Sequence, residues 1–198
     1  AGYEADDLIG TIAYQTQNLE VVILTGDRDM LQLVNSHVKV LAPIIGLTKM
    51  ILFDEKTVSE KYGIKPSQFV DYKSLVGDSS DNYPGVTGIG PKTAQDILNK
   101  FGTLEYIYEH LGNLPPKIME KLAKDAEQAA LAKKLAAIIT DAPIKFNLSE
   151  SLCKDFDMQN LKKEFEELGF KSLLKRLPSS DNTDKEKTSL QESLFDLR

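Results

Sequence analysis

Seven carboxylates fall in three tight clusters separated by apolar segments, and this constrains the fold more than any other feature. The clusters are Glu4, Asp6 and Asp7 in GYEADDLI, Asp27 and Asp29 in VVILTGDRDM, and Asp78 and Asp81 in LVGDSSDN. Like charges repel, so a fold that gathers such clusters needs a counter-charge. A hard divalent cation with oxygen ligands, Mg²⁺ or Mn²⁺, is the usual one. Each cluster also has a plainer reading. Acids in a first helical turn complement the helix dipole. Asp27 can cap a following helix, and an Asp-rich Gly/Pro loop is often only a turn.

Directly after the third cluster comes GVTGIGPKTA. Gly85, Gly88 and Gly90 permit tight turns and close approach of backbone to a ligand. Amides near Gly88 to Gly90 and the start of the next helix can face a phosphate. Lys92 adds positive charge, and Thr93 follows it. Carboxylates able to hold metal, beside a phosphate-binding hairpin, point to phosphodiester chemistry on nucleic acid. In a two-metal site, carboxylates converge on ions about 3.5–4 Å apart. Acids at a helix start, a strand end and an inter-helix loop can meet this way.

The local patterns supply such a frame. Ala5, Leu8, Ile9 and Ile12 share one arc of a helix over 4–18, with the acids on the other. VVIL at 21–24 reads as a buried parallel strand, and TGDRD follows its C-terminal end, where open α/β sheets bind ligands. HVKVL at 37–41 reads as a second strand, and 44–53 as irregular or hairpin structure turning at Gly46. Asp54 caps a helix to Tyr62, closed by Gly63. Pro66 and Pro91 open further helices. Helices are expected at 103–110, 115–123, 125–139, 158–168 and near 170–176. The expected fold is α/β, a partial parallel-sheet core over 1–53 followed by a helical segment over 54–177. Residues 178–198, polar and without periodicity, read as a flexible tail.

Composition excludes several classes. At 198 residues and 41% hydrophobic, the chain can bury a sizeable core. No apolar run approaches membrane-spanning length. The single Cys153 rules out an internal disulfide framework and fits a reducing compartment. The net charge of −6 argues against strong nonspecific DNA binding, but the acidity is local. Setting aside the seven clustered carboxylates and the −2 of residues 178–198, the remainder carries +3. GDRDM and GDSSDN lack the twelve-residue loop and terminal Glu of a Ca²⁺-binding EF-hand. His37 and His110 lie outside the acidic clusters.

GYEADDLI, LTGDRDMLQLV, the run from EKYGIKPSQF to GIGPKTA, and FGTLEYIYEHL together resemble the 5′→3′ exonuclease domain of bacterial DNA polymerase I. That domain belongs to the flap endonuclease superfamily of structure-specific 5′ nucleases. The resemblance covers about residues 1–177. It implies a PIN-like core, a helix–hairpin–helix that grips duplex DNA, and two divalent metals. It carries the metal and catalytic roles onto Glu4, Asp6, Asp7, Asp27, Asp29, Asp78 and Asp81. It carries DNA contact onto Gly85, Gly88, Gly90, Lys92 and Thr93, with K⁺ held by hairpin carbonyls. The implied substrate is DNA, or RNA–DNA, with a 5′ end or 5′ flap, in primer removal and repair. The implied setting is the bacterial cytoplasm, at the nucleoid. Family members carry an earlier segment with the first strand, two further metal-site aspartates and a basic helical arch. Without it, the first metal site is expected to be short of ligands. QESLF at 191–195 resembles a bacterial sliding-clamp-binding motif through Gln191, Leu194 and Phe195. The alternative is a noncatalytic DNA-binding module built on the helix–hairpin–helix.

Overall fold

A computed structural model describes residues 2–45, 49–151 and 157–177. Gly46, Cys153 and the whole of QESLF therefore lie outside the described residues. The chain divides into two units, residues 1–144 and 145–198.

The first unit opens with helix α1 (Ala5–Gln15), followed by strand β1 (Val21–Leu24). A 3₁₀ turn (Asp29–Leu33) leads to β2 (Val38–Ile45) and β3 (Lys49–Phe53). β1 pairs with β2 in parallel, Val21 opposite Val38, while β2 and β3 run antiparallel. Of the two readings of 44–53, irregular or hairpin, the antiparallel pairing of β2 with β3 is the hairpin. β3 continues the sheet because Ile51 and Phe53 alternate toward the core, a period that Pro43 in the partner strand obscures. Nor is β1 buried on both faces. Ile23 is buried while Val22 and Leu24 are exposed, because β2 is its one neighbour among the described residues.

Helices follow: α2 (Glu55–Tyr62), α3 (Phe69–Val76), α4 (Pro91–Phe101), α5 (Leu104–Glu109), α6 (Pro116–Lys124) and α7 (Ala126–Ala136). Between α3 and α4 lies a two-residue ladder, β4 (Gly77–Asp78) with β5 (Tyr83–Pro84). One hydrophobic core runs from the sheet into these helices, through Val40, Phe53, Phe69, Leu98 and Leu122. This is an α/β fold with a small sheet and a helical subdomain.

Buried polar contacts fix the helices that carry the site. Asp71 on α3 is buried; it pairs with Lys133 on α7 at 2.6 Å and accepts from the Leu104 amide at 3.2 Å. Gln32 donates to Ala136 O at 2.8 Å and accepts from Ile138 N at 2.9 Å. These contacts tie the 3₁₀ turn and α3 to α7. Buried polar groups left without such partners would cost about 1–3 kcal/mol each.

The second unit, as described, holds α8 (Met158–Glu167) and α9 (Lys171–Leu174). Asp157 caps α8 by accepting from Asn160 N, and Gly169 at φ 70° turns the chain toward α9. Among the described residues no helix is long and apolar enough to cross a membrane.

The Asp54 cap provides a check on the helical register. Its carboxylate accepts from Thr57 N at 2.7 Å, and that bond holds its pKa below the ordinary 3.8. A carboxyl lowered in the fold stabilises it above the unfolded pKa, and this is lost as pH falls through the folded value. Asp54→Ala should therefore lower stability by about 1 kcal/mol near neutrality. In urea titrations across pH, the gap to the parent chain should narrow below the ordinary carboxyl range. A gap that widened there would contradict the cap.

Candidate metal centre

The three acidic clusters reach one region from three kinds of element. Asp6 and Asp7 stand in the first turn of α1. Asp27 and Asp29 follow β1, and Asp78 and Asp81 stand on and just after β4. Oxygen atoms of Asp29, Asp78 and Asp81 lie within 4.8 Å of one another. Asp6 is near enough to feel the charges of Asp27, Glu4, Asp7 and Asp81.

Local hydrogen bonds aim these side chains. Asp27 N donates to Thr25 Oγ1 at 3.0 Å, and Asp27 Oδ1 accepts from Asp29 N at 2.9 Å. Asp27 thus shapes the turn that delivers Asp29, which joins the plain reading of that residue to the functional one. Asp78 Oδ1 accepts from Ser80 N at 2.7 Å. Asn82, at φ 55°, then returns the chain into β5. Asp7 is different. It is buried, and its two oxygens accept from Ile139 N at 2.8 Å and Glu4 N at 2.9 Å. It fastens the start of α1 to the segment after α7. The structure places Glu4 at the exposed N-cap of α1.

Electrostatics match this crowding. Burial first, then Asp27, Glu4, Asp7 and Asp81, raises the Asp6 pKa. Burial also raises that of Asp29, against the opposing pull of Lys73. A carboxyl raised in the fold works against folding above that pKa, and the penalty fades as pH falls through it toward the unfolded value. The charged centre is therefore stabilised by any cation that enters it.

Lys73, which sequence reasoning missed, already supplies one. From α3 its ammonium pairs with both Asp29 Oδ1 and Asp78 Oδ2, and all three side chains are largely buried. Its position five residues before Asp78 carries no signal, since the contact depends on how α3 packs. Tyr83 was missed too. Its buried hydroxyl has no hydrogen-bond partner among the described residues, and burial, then Asp29, Asp81 and Asp27, pushes its pKa well up. A cavity of about 500 Å³ opens beside Asp27, Asp78 and Asp81, with Arg28, Tyr62 and Tyr72 in its wall.

The glycine hairpin leaves β5 directly. Gly88 adopts φ 77°, Ile89 N closes a turn onto Val86 O at 3.0 Å, and Gly90 caps α4 with Pro91 at its first position. Gly88, Gly90 and Lys92 are exposed and Thr93 is partly so. Gly85 is buried: a Cβ there would meet Gly77 N at 2.3 Å and Leu75 O at 2.4 Å. Its lack of a side chain serves the packing of β4 on β5.

A hairpin entering a helix thus stands next to partly buried and exposed carboxylates on an α/β frame. Residues 1–63 match the model of the 5′-3′ exonuclease N-terminal resolvase-like domain, and residues 64–159 that of the 5′-3′ exonuclease C-terminal SAM fold. The chain belongs to the 5′-3′ exonuclease family, whose members are hydrolases. DNA polymerase I of Caldicellulosiruptor bescii is 43% identical over 184 residues, 91% of this chain and 22% of that protein. DNA polymerase I of Bacillus caldotenax is 43% identical, over 90% of this chain and 21% of that protein. The chain spans about a fifth of the length of these relatives. The phage T5 flap endonuclease, solved with DNA and metal ions, superposes at TM-score 0.62 and 26% identity, over 70% of this chain and 51% of that one. The Rad2 catalytic core, solved with DNA substrate, shares the fold at TM-score 0.51 and 16% identity, over 84% and 57% of the two chains.

Lys73→Met removes the cation and keeps the length of the side chain. Breaking a buried pair by deleting one partner costs about 3–5 kcal/mol. A urea titration in chelator at neutral pH should show a loss of this order. An unchanged midpoint would mean that Lys73 does not hold the acids together.

Proposed function

We propose that the chain forms the metal-binding and DNA-gripping part of a structure-specific 5′ nuclease, hydrolysing phosphodiesters near a 5′ end or 5′ flap by two-metal catalysis. The observation that carries this is the convergence of Asp29, Asp78 and Asp81, whose oxygens lie within 4.8 Å of one another, in a chain of this family. The donor set suits Mg²⁺ or Mn²⁺: every donor is a carboxylate oxygen, and no histidine or cysteine takes part. The fold also places a positive charge there already, so the site accepts one. Asp29, Asp78 and Asp81 would hold one ion, with Asp27 beside it, and Glu4, Asp6 and Asp7 would line the neighbouring position. Bound there, such ions supply Lewis acidity toward the scissile phosphate and the attacking water.

The protein's own groups do the rest. Asp27 and Ser80 orient Asp29 and Asp78 through the bonds described above, so the ligands need little rearrangement. Lys73 would have to release at least one carboxylate as metal enters, and its ammonium then stands free to face a phosphate oxygen. Gly88, Gly90 and Lys92, with Thr93 behind them, hold the backbone of the duplex by its phosphates, without reading bases. Bound K⁺ at the hairpin has weaker support. Gly88 O already accepts from Lys121, and Gly85 O from Gln128.

Primer removal and repair at the nucleoid are the cellular setting that goes with this reading. A sliding-clamp contact through Gln191, Leu194 and Phe195 rests on sequence alone; a peptide of residues 188–198 titrated with a clamp would test it. The alternative, a noncatalytic DNA-binding module, has one observation in its favour, the neutralisation of Asp29 and Asp78 by Lys73.

Thermal unfolding with rising Mn²⁺, together with cleavage of a labelled 5′-flap duplex, separates the two. On the nuclease reading Mn²⁺ stabilises the chain, by about 2.7 kcal/mol at a hundred times Kd. The Asp29→Asn/Asp78→Asn variant loses that stabilisation, and in a protein that carries the family's earlier segment it loses metal-dependent cleavage while still binding DNA. A parent chain indifferent to Mn²⁺, or a variant that cleaves as the parent does, would overturn it.

A further inference from the structure

The hairpin does not support itself. Lys121 on α6 donates to Gly88 O at 2.7 Å. Asp125, at the junction of α6 and α7, accepts from Thr87 N at 2.7 Å. Gln128 on α7 reaches Gly85 O. Three side chains from the α6–α7 elbow thus hold three successive parts of the loop. Gly88 itself is at φ 77°, and a Cβ there would displace the Lys121 ammonium, 2.8 Å away.

Lys121 is also one of a row. Lys117, Lys121 and Lys124 occupy positions i, i+4 and i+7 of α6, which fall within about 60° of one another around the helix. All three are exposed, while Leu122 on the other side is buried. Among the described residues none of the three lies within ion-pairing distance of a carboxylate, in contrast with Lys39, Lys73 and Lys133. Glu120 flanks the row, and Asp125, beyond its end, is engaged by Thr87. The row therefore presents net positive charge without a carboxylate partner among the described residues, and its middle member touches the hairpin carbonyl. At 1.5 Å per residue it extends about 10 Å, enough to reach more than one phosphate of a strand.

We propose that α6 is a second phosphate-contact surface for duplex DNA, continuous with the hairpin through Lys121. An ammonium has three N–H donors. In Lys121 one fixes the hairpin carbonyl, which leaves two for a phosphate. Lys117 and Lys124 extend the surface along the same strand. Lys121 is thus a positioning residue for the loop and a phosphate ligand in one. This rests on the reading that the hairpin holds DNA, and it adds ligands outside the glycine motif.

Fluorescence anisotropy with a labelled duplex, in chelator and over a range of salt, tests it on the full chain. Removing one lysine–phosphate pair should flatten the slope of log K against log salt by about 0.9. At 0.15 M salt that corresponds to about a fivefold drop in affinity per pair. Lys117→Ala/Lys124→Ala should flatten the slope by about 1.8 and weaken binding about thirtyfold, equally for duplexes of different sequence. Lys121→Arg should stay near the parent, whereas Lys121→Met should weaken binding more than its single charge accounts for, because the loop is also released. If Lys92→Ala flattens the slope and the α6 double variant does not, the hairpin reading stands and α6 is no part of the surface. If the parent chain binds no duplex at all, both readings fall together.

Discussion

The structure turns on one electrostatic problem, the mutual repulsion of carboxylates delivered to a common place by α1, the β1 loop and β4. In isolation each pair of acids costs little. Brought together and partly buried, they raise the pKa values of Asp6 and Asp29 and oppose folding at neutral pH. Lys73 offsets this within the protein by pairing with Asp29 and Asp78. A lysine in this role is a compact charge on a flexible stem, so it can hold the site and still be displaced. The same arrangement explains how the chain keeps its ligands close without a metal, and why a divalent cation would find them pre-aimed.

The rest of the first unit serves that placement. Asp71, Lys133 and the Gln32 contacts lock α3 and the Asp29 turn against α7. Asp7 fixes α1 through Ile139 N. Gly77 and Gly85 let β4 and β5 meet backbone to backbone, so the acidic turn and the hairpin emerge from one small ladder. α7 therefore braces both the acidic turn and the glycine hairpin, one through α3 and the other through Gln128 and the Asp125 junction. The two loops share one rigid support, so each is held in place by the packing that holds the other.

Much of this is legible in the sequence, for identifiable reasons. Asp54 and Gly63 bound α2 because capping and left-handed closure depend on one or two residues each. Pro66 and Pro91 mark helix starts in the same local way. The seven acids and the glycine hairpin stand out by residue type and spacing. What the sequence hides depends on packing. Strand β3 is only half legible, as a possible hairpin arm, because Pro43 interrupts the apolar pattern of its partner β2. Lys73, Tyr83 and Lys121 resemble any helical lysine or apolar ladder residue until α3, β5 and α6 are placed. Gly85 reads as a ligand-facing glycine and is instead a packing glycine, a distinction that only burial can draw.

Anomalous diffraction from crystals of the chain grown with Mn²⁺ tests the central claim most directly. The account predicts a peak bounded by Asp29, Asp78 and Asp81, with Lys73 withdrawn from at least one of its carboxylates. A second peak should be weaker and lie toward Asp6. No peak among these acids at saturating Mn²⁺, with Lys73 still paired to Asp29 and Asp78, would contradict it.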